Sequence, residues 1–282
     1  MNQLQRVILE IYKSVKSICD KYDIQYYAIG GTAIGAARHS GFIPWDDDLD
    51  IAIPIEKFDF LISKLEKDLP EYYKVFDYRS SKYYPCMFIK VVDTRTTFIE
   101  KLEYTLPEGY KGVFIDIMPM SGIPNEHFLR KIHKYVSWNG IIRRSPVSSK
   151  GVKKIFKMVL SPLLNFIPKD YFIKKFFKAI TDYPLYESKY TGYVWHAYRG
   201  RRLIFPSEWF YDTTELVFED TTIKCAKEYD KYLSYQFGDY MKLPSEDKRK
   251  NVHEGLVDLD TPFEYYKKNP DLVLEKIIKG NN

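Results

Sequence analysis

The amino-acid sequence predicts an α+β fold, in which a mixed sheet flanked by helices carries a basic helical insertion. The first residues place apolar side chains three and four positions apart, which is the spacing of an amphipathic helix. Short apolar stretches that end at Gly, Pro or polar residues follow in the first half, as expected for strands. From His127 to Ile180 the chain has thirteen Lys and Arg residues against one acid, Asp170. Strands in one half with helices around them are typical of the α+β class.

The elements follow from local patterns along the chain. In order, we predict a helix over residues 4–22, a strand over 24–29, and helices over 32–38 and 55–69 on either side of a strand over 48–53. Further strands are predicted over 87–92, 97–102 and 113–118, the last of which ends at Pro119. The C-terminal third predicts a hairpin over 216–224 and a helix over 226–235. These patterns divide the chain into a core (1–125), a basic, aromatic helical insertion (126–190) and a C-terminal part (191–282) that completes the core domain.

Composition excludes several classes of protein. Of the 282 residues, 45% are hydrophobic and 29% are charged, which fits neither a disordered chain nor a membrane-embedded one. The longest apolar run, residues 158–167, contains Pro162 and is shorter than the ~20 residues that a spanning helix needs. The N-terminus lacks the apolar stretch of a signal peptide. The three cysteines lie far apart with no C-x-x-C pair, which disfavours a disulfide scaffold or a zinc finger. We therefore expect a cytoplasmic protein that is soluble or peripheral to a membrane.

Aspartates near residue 50 are the strongest chemical signal. Residues two apart on a strand share a face, so Asp48 and Asp50 are predicted to point to one side and Leu49 and Ile51 to the core. Asp116 lies in the apolar stretch 113–118, where an unpaired charge would be costly to bury. A hard divalent cation resolves the repulsion among such carboxylates, and Mg²⁺, with Mn²⁺ as an alternative, prefers oxygen ligands. The alternative is a solvated acidic turn, an interpretation that remains open for the neighbouring Asp46 and Asp47.

Two glycines precede this acidic segment. Gly30 and Gly31 end the predicted strand 24–29, and a glycine turn lets backbone amides approach a phosphate closely. The glycine pair, the alternating acids and the third strand acid together predict a site for a phosphate and a metal ion.

The order of these motifs resembles a known family. The stretch from Gly30 to Ile51 contains Gly-Gly-Thr and Pro-Trp-Asp-Asp-Asp-Leu-Asp-Ile, and closely resembles the signature of the LicD family. The stretch from Phe237 to Pro244, with Arg249 and His253, is similar to that family's C-terminal motif. More broadly, the glycine pair and aspartates resemble the nucleotidyltransferase fold of the DNA polymerase β superfamily.

The resemblance implies Mg²⁺-dependent transfer of phosphocholine, or of a related phospho-alcohol, from a CDP-activated donor. The acceptor would be a hydroxyl of a cell-surface glycan or teichoic-acid precursor, and CMP would be released. Asp48, Asp50 and Asp116 would then hold the metal ion, and Asp116 would also receive the acceptor proton. Three of the residues expected to bind the donor are Gly30, Gly31 and Thr32.

Three further residues are candidates for donor binding, each with a structural alternative. Arg38 would reach the donor phosphate or be a solvated charge. Trp45 would stack on cytosine or pack under the acidic loop. Lys90, which interrupts an apolar strand, would contact phosphate, pair with an acid of the site, or be an edge lysine that extends to solvent.

Partners follow from the basic insertion and from the resemblance. The lysines of the basic insertion alternate with aromatic and aliphatic residues. This pattern fits a segment at a membrane interface or a set of solvated helices. A lipid-linked acceptor would place the protein at the inner face of the membrane, and no nucleic-acid partner is expected. Two alternatives stay open: a nucleotidyltransferase that acts on a small molecule or an RNA end and releases pyrophosphate, and a non-catalytic membrane adaptor.

Overall fold

The computed structural model describes residues 1–100, 109, 111–143, 166–193, 203–249 and 255–279. Within these ranges the helices are α1 (Gln3–Lys21), α2 (Gly30–His39), α3 (Ile55–Asp68), α4 (Glu126–Arg143), α5 (Tyr171–Thr181), α6 (Tyr229–Phe237), α7 (Phe263–Lys268) and α8 (Pro270–Lys279). The strands are β1 (Tyr27–Ala28), β2 (Asp50–Pro54), β3 (Tyr73–Phe76), β4 (Ile89–Asp93), β5 (Thr97–Glu100), β6 (Val113–Gly122), β7 (Tyr190–Gly192), β8 (Phe205–Pro206), β9 (Thr213–Phe218), β10 (Thr221–Ala226) and β11 (Gly255–Asp258). Short 3₁₀ helices span Leu185–Glu187, Ser207–Phe210 and Glu246–Lys248.

A mixed sheet forms the centre of the fold. Its strands follow the order β1-β2-β6-β4-β3, and β7 and β8 extend the far end of β6. The pair β2 and β6 is parallel, whereas β1 with β2, β4 with β6 and β3 with β4 are antiparallel. Two smaller sheets, the hairpin β9–β10 and the pair β5–β11, complete the strand pairing. The mixed sheet flanked by helices is therefore confirmed.

Strand β6 is longer than the sequence predicts, because Pro119 does not end it. The backbone amide of Asp116 donates to the Leu49 carbonyl, on the β2 side of β6. Because backbone groups alternate along a strand, those of residues 118 and 120 also point toward β2, and those of Pro119 point toward the edge where β4 pairs. On that edge β4 pairs with β6 only as far as Ile117, and β7 begins at Ser121. Proline has no N–H to donate. At residue 119, between the pairings with β4 and β7, neither strand is paired with β6, so no ladder hydrogen bond is lost.

Helix α1 covers the sheet through the stripe that the sequence predicts. Ile8, Ile11 and Val15 are fully buried, and the helix packs against β6, β4 and α3. Asn2 caps its N-terminus by accepting the Gln5 amide, while the Gln5 side chain accepts the Asn2 amide. The burial of one stripe and the reciprocal cap explain why this helix forms here.

The boundaries around the glycines differ from the prediction. The strand expected over 24–29 is limited to Tyr27 and Ala28, and Gly30 and Gly31 are the first residues of α2 instead of a turn. The strand expected from Asp48 begins at Asp50. Small side chains favour this arrangement because they allow α2 to approach the loop after it, where a Cβ on Gly35 would lie 2.5 Å from the Gly41 carbonyl oxygen.

Helices α4 and α5 belong to the basic insertion and pack against each other. Arg143, at the end of α4 and 1% exposed, donates hydrogen bonds to the carbonyls of Lys169, Tyr78, Ser81 and Tyr84. This buried guanidinium ties the insertion to the loop that precedes β4. Residues 144–165 of the insertion, which include most of the apolar run 158–167, lie outside the described residues. In the described ranges, every helix is too short or too polar to traverse a bilayer.

Candidate active site

Three neighbouring strands place charged side chains in one row. The parallel register of β2 and β6 sets Asp50 opposite Asp116. On the other side of β6, the antiparallel register of β4 sets Lys90 opposite Asp116. Directly opposed residues on neighbouring strands share a face of the sheet. Asp50, Asp116 and Lys90 therefore cross the sheet side by side, although residues 50 and 116 are far apart in the sequence.

More acids lie in the loop that leads into β2. Among the described residues, Asp46, Asp47 and Asp48 each place one carboxylate oxygen within 4.8 Å of the others. Asp46 and Asp47 are buried, at 9% and 3% exposure, so they do not form the solvated turn that was the alternative in the sequence. Asp48 belongs to this loop and not to a strand, because β2 starts two residues later.

The acids interact electrostatically across the two groups. Part of Asp50 is accessible to solvent, but the protein packed around its carboxylate raises its pKa well above the usual range. The negative charges of Asp48, Asp116 and Asp46 raise it further, and Lys90 opposes them. The loop acids and the strand acids therefore form one region of concentrated negative charge.

Hydrogen bonds from distant parts of the chain hold the acidic loop. The Gln5 side chain, on α1, donates to the carbonyls of Ile43 and Asp46, at 3.1 Å and 2.9 Å. The Glu219 carboxylate, in the turn between β9 and β10, accepts the Phe42 amide at 3.0 Å. The loop is thus fixed from both sides, by the first helix and by the C-terminal hairpin.

The start of α2 lies directly against the acids. A Cβ on Gly31 would lie 2.7 Å from an oxygen of Asp46, closer than ordinary contacts permit. The Thr32 hydroxyl accepts the Asp50 amide at 2.8 Å. Gly31 therefore gives Asp46 its space, and Thr32 sets the point at which β2 begins.

The Gly30 amide has a protein partner. It donates to the hydroxyl of Tyr232 on α6, at 3.0 Å, and a second hydroxyl, that of Tyr193, lies 3.1 Å from Tyr232. Tyr193 in turn donates to Gln236 at 2.6 Å. A phosphate at the Gly30 amide, as the sequence predicts, would have to replace Tyr232.

Arg38 and Trp45 both lie against the C-terminal motif. The Arg38 guanidinium donates to the carbonyls of Tyr240 and Lys242, at 2.5 Å and 3.3 Å. Trp45 is half-buried, and the Arg249 guanidinium lies 5.6 Å from the centre of one of its rings. The segment 240–249 thus covers the end of α2 and the residue that precedes the acids.

Lys90 is buried beside the acids, at 6% exposure. Its Nζ lies 3.8 Å from a carboxylate oxygen of Asp116 and 3.5 Å from one of Glu100. It also lies 3.2 Å from the centre of the Phe114 ring. Of the three alternatives from the sequence, this geometry matches the ion pair with an acid of the site.

Several supporting residues were not found by sequence reasoning. Gln5, Glu219 and Tyr232 are 38 to 202 residues away from the site residues that they bind, where the sequence offers no local pattern. Conversely, His253 of the C-terminal motif lies outside the described residues.

The donor set fits a hard divalent cation. The candidate ligands are carboxylate oxygens, which Mg²⁺ and Mn²⁺ prefer. One oxygen each of Asp46, Asp47 and Asp48 lie close enough together to bind a single ion. Asp50 and Asp116 add two carboxylates from the adjoining strands. A cation would also relieve the repulsion that raises the pKa of Asp50.

Comparison with known proteins finds a family that resembles this part of the chain. Residues 23–128 match the family model described as "LicD/FKTN/FKRP, nucleotidyltransferase domain". The chain is 29% identical over 264 residues to the lipopolysaccharide cholinephosphotransferase LicD of Haemophilus influenzae, covering 90% of this chain and 96% of that one. Shorter matches are 44% over 46 residues to the uncharacterized protein RP689 of Rickettsia prowazekii (16% of this chain, 17% of that one), and 37% over 51 residues to the human ribitol 5-phosphate transferase FKRP (18% and 10%). The resemblance to the LicD family identified from the sequence is confirmed, by the family model over residues 23–128 and by the similarity to a LicD protein over most of the chain.

Proposed function

We propose that this protein transfers phosphocholine, or a related phospho-alcohol, from a CDP-activated donor to a hydroxyl of a cell-surface glycan or teichoic-acid precursor. The observation that carries the proposal is the pairing of Asp50 with Asp116 beside the acidic loop. Similarity to a cholinephosphotransferase over nearly its whole length supports the transferred group. The matching family model, which covers residues 23–128, supports a nucleotidyltransferase-like core. That the C-terminal part completes the same domain is part of the proposal.

The acidic residues would hold one or two Mg²⁺ ions, or Mn²⁺. We assign metal binding to Asp48, Asp50 and Asp116, and add Asp46 and Asp47 because their carboxylates adjoin Asp48. Held by these carboxylates, Mg²⁺ would supply positive charge next to the donor diphosphate and the leaving CMP. Clustered carboxylates repel an anionic diphosphate when no cation is present, so donor binding should depend on the ion.

The transfer itself needs a base and a positioned phosphate. An acceptor hydroxyl would attack the distal phosphorus, the new P–O bond would form as the bond to CMP breaks, and Asp116 would accept the hydroxyl proton. Lys90, which lies 3.8 Å from Asp116, would keep that carboxylate oriented and add positive charge near the donor. Asp116 is the strand acid that both Lys90 and Asp50 adjoin.

Donor binding is proposed for the start of α2 and for the residues beside the loop. Gly31 and Thr32 shape the space next to Asp46 and Asp50, and Trp45 would stack on the cytosine. Arg38 is held by carbonyls of the C-terminal motif and would need to leave one of them to reach a phosphate. A lipid-linked acceptor would place the reaction in the cytoplasm, at the inner face of the membrane.

The test is CMP release from a panel of CDP-choline, CDP-ribitol and CDP-glycerol, with Mg²⁺ and then with a chelator. We expect CMP from one of these donors only when Mg²⁺ is present, and loss of turnover in Asp50→Asn and Asp116→Asn. Asp212→Asn, which changes an aspartate whose side chain is 71% exposed, is the matched control. Pyrophosphate release from nucleoside triphosphates instead of CMP would show a nucleotidyltransferase. Binding without any turnover would show a non-catalytic protein.

A further inference from the structure

Helices α4 and α5 share an exposed surface that combines aromatic rings with lysines. We call it the aromatic–lysine face and define it by Lys134, Tyr135, Trp138, Tyr171, Phe172, Lys174, Lys175 and Lys178. Trp138 and Tyr171 are 42% and 43% exposed.

The aromatic side chains of this face touch one another across the two helices. The Trp138 and Phe172 rings stack, with centroids 6.0 Å apart and planes 15° from parallel. Tyr135 and Tyr171 contact Phe172 from either side, at 6.4 Å and 5.1 Å between centroids. Scattered exposed apolar residues need no explanation, but a continuous exposed cluster marks an interaction surface.

The charges of both helices follow the same surface. The exposed positions of α5 lie on one stripe of the helix: Tyr171, Lys174, Lys175, Lys178 and Thr181. The Lys175 ammonium lies 5.7 Å from the centre of the Tyr171 ring, so charge and aromatic surface are adjacent. The sequence of α4 has a single acid, Glu126, at its start, and that of α5 has none.

We propose that the aromatic–lysine face docks on the surface of an anionic lipid bilayer. Trp and Tyr rings, apolar over most of their area with one polar end, concentrate at the headgroup level. Lysines attract anionic lipid headgroups, and their alkyl stems lie along apolar surface. A soluble polyanion without apolar surface would account for the lysines but not for the exposed aromatic cluster beside them. The proposal does not depend on the donor or the reaction, so either proposal can fail without the other.

The experiment is sedimentation of the full chain with vesicles of phosphatidylglycerol and phosphatidylcholine, compared with vesicles of phosphatidylcholine alone. Two variants remove the two parts of the face: Lys134→Gln/Lys175→Gln, and Trp138→Ser. The matched control is Lys227→Gln/Lys231→Gln, which removes two exposed lysines near and within α6. Because all of these side chains are exposed or partly exposed, thermal unfolding should be nearly unchanged in every variant.

We expect the wild-type protein to sediment with the anionic vesicles and not with the neutral ones. The double lysine variant should bind about tenfold more weakly or worse, the Trp138→Ser variant should also bind more weakly, and the control should bind like wild type. Equal binding to both kinds of vesicle, or no binding, would overturn the proposal. The proposal would also be overturned if Trp138→Ser bound the anionic vesicles as tightly as the wild-type protein while the lysine variant lost binding. That pattern would describe a general polyanion site.

Discussion

Gly31 and Gly35 lie four residues apart in α2, and alanine at each position tests a different property of the molecule. A Cβ on Gly31 would lie 2.7 Å from an oxygen of the Asp46 side chain. A Cβ on Gly35 would lie 2.5 Å from the Gly41 carbonyl oxygen and 3.3 Å from the Ile43 nitrogen. The first obstacle is the end of a side chain that can turn away, whereas the second is backbone that cannot.

The expected effects follow from these distances. Alanine in place of glycine favours a helix interior by about 1 kcal/mol. Gly35 gains this in full, and Gly31, the second residue of α2, gains less. In Gly31→Ala the Asp46 carboxylate must move by about 0.5 Å or more to reach a normal contact, against a tolerance of about 0.2 Å for metal ligands. Stability should therefore change by less than about 1 kcal/mol, while turnover should fall by roughly 10- to 100-fold. In Gly35→Ala the overpacking costs about 1–3 kcal/mol, so this variant should be the less stable of the two.

Three measurements separate the cases: urea unfolding, calorimetric titration with Mg²⁺, and CMP release. We expect Gly31→Ala to unfold like wild type and to bind Mg²⁺ more weakly, with loss of turnover. Gly35→Ala should unfold at a lower urea concentration than wild type. The molecules that remain folded should bind Mg²⁺ with an affinity closer to that of wild type than Gly31→Ala does. Wild-type Mg²⁺ affinity and turnover in Gly31→Ala would refute the claim that Asp46 belongs to the metal site.

Three further predictions concern stability. Thr32→Val removes the acceptor of the Asp50 amide and should cost about 1–3 kcal/mol in urea unfolding, whereas Thr32→Ser should recover most of this. Arg143→Met leaves four carbonyls without their donor and should cost about 3 kcal/mol, with faster proteolysis in the loop before β4; unchanged proteolysis would contradict the anchoring role. Burial alone would raise the pKa of Asp258, but hydrogen bonds from Tyr266 and from two backbone amides hold it below its usual value. Its stabilising contribution is therefore complete above about pH 4, the unfolded value, and is lost as the pH falls through the lower folded value. The stability difference between wild type and Asp258→Asn should shrink in acid, and a difference that grows there would show the opposite sign.

The sequence predicts those parts of the site that depend on local periodicity. Asp116 is the acid in an apolar strand, and alternation about Asp50 is enough to place β2, so both strand acids could be found. The end of β6 could not be predicted from the sequence. A proline is tolerated inside this strand only because β4 and β7 leave residue 119 unpaired between them. The burial of Asp46 and Asp47 was also missed, since a run of acids looks the same in a solvated turn as in a loop fixed by other elements.

Long-range partners set the remaining details. Gly30 and Gly31 have the composition of a turn, but packing of α2 against β2, β9 and α6 draws them into the helix. Nothing near Gly30 in the chain indicates that Tyr232 will accept its amide. Arg38 has the character of a phosphate ligand in the sequence, whereas the fold brings the carbonyls of Tyr240 and Lys242 to it. Such contacts depend on tertiary packing, which local patterns do not encode.

The hydrogen bonds of Gln5 and Glu219 to the acidic loop have a consequence for the order in which the protein folds. Gln5 and Glu219 both lie outside residues 23–128, the part that the family model matches. A ribosome would have to finish the β9–β10 hairpin before the loop acquires its second anchor, long after every aspartate has been synthesised. An excised fragment that ends near residue 128 would therefore carry all five acids but lack the Glu219 anchor, so the acidic loop should reach its final geometry only after the hairpin has formed.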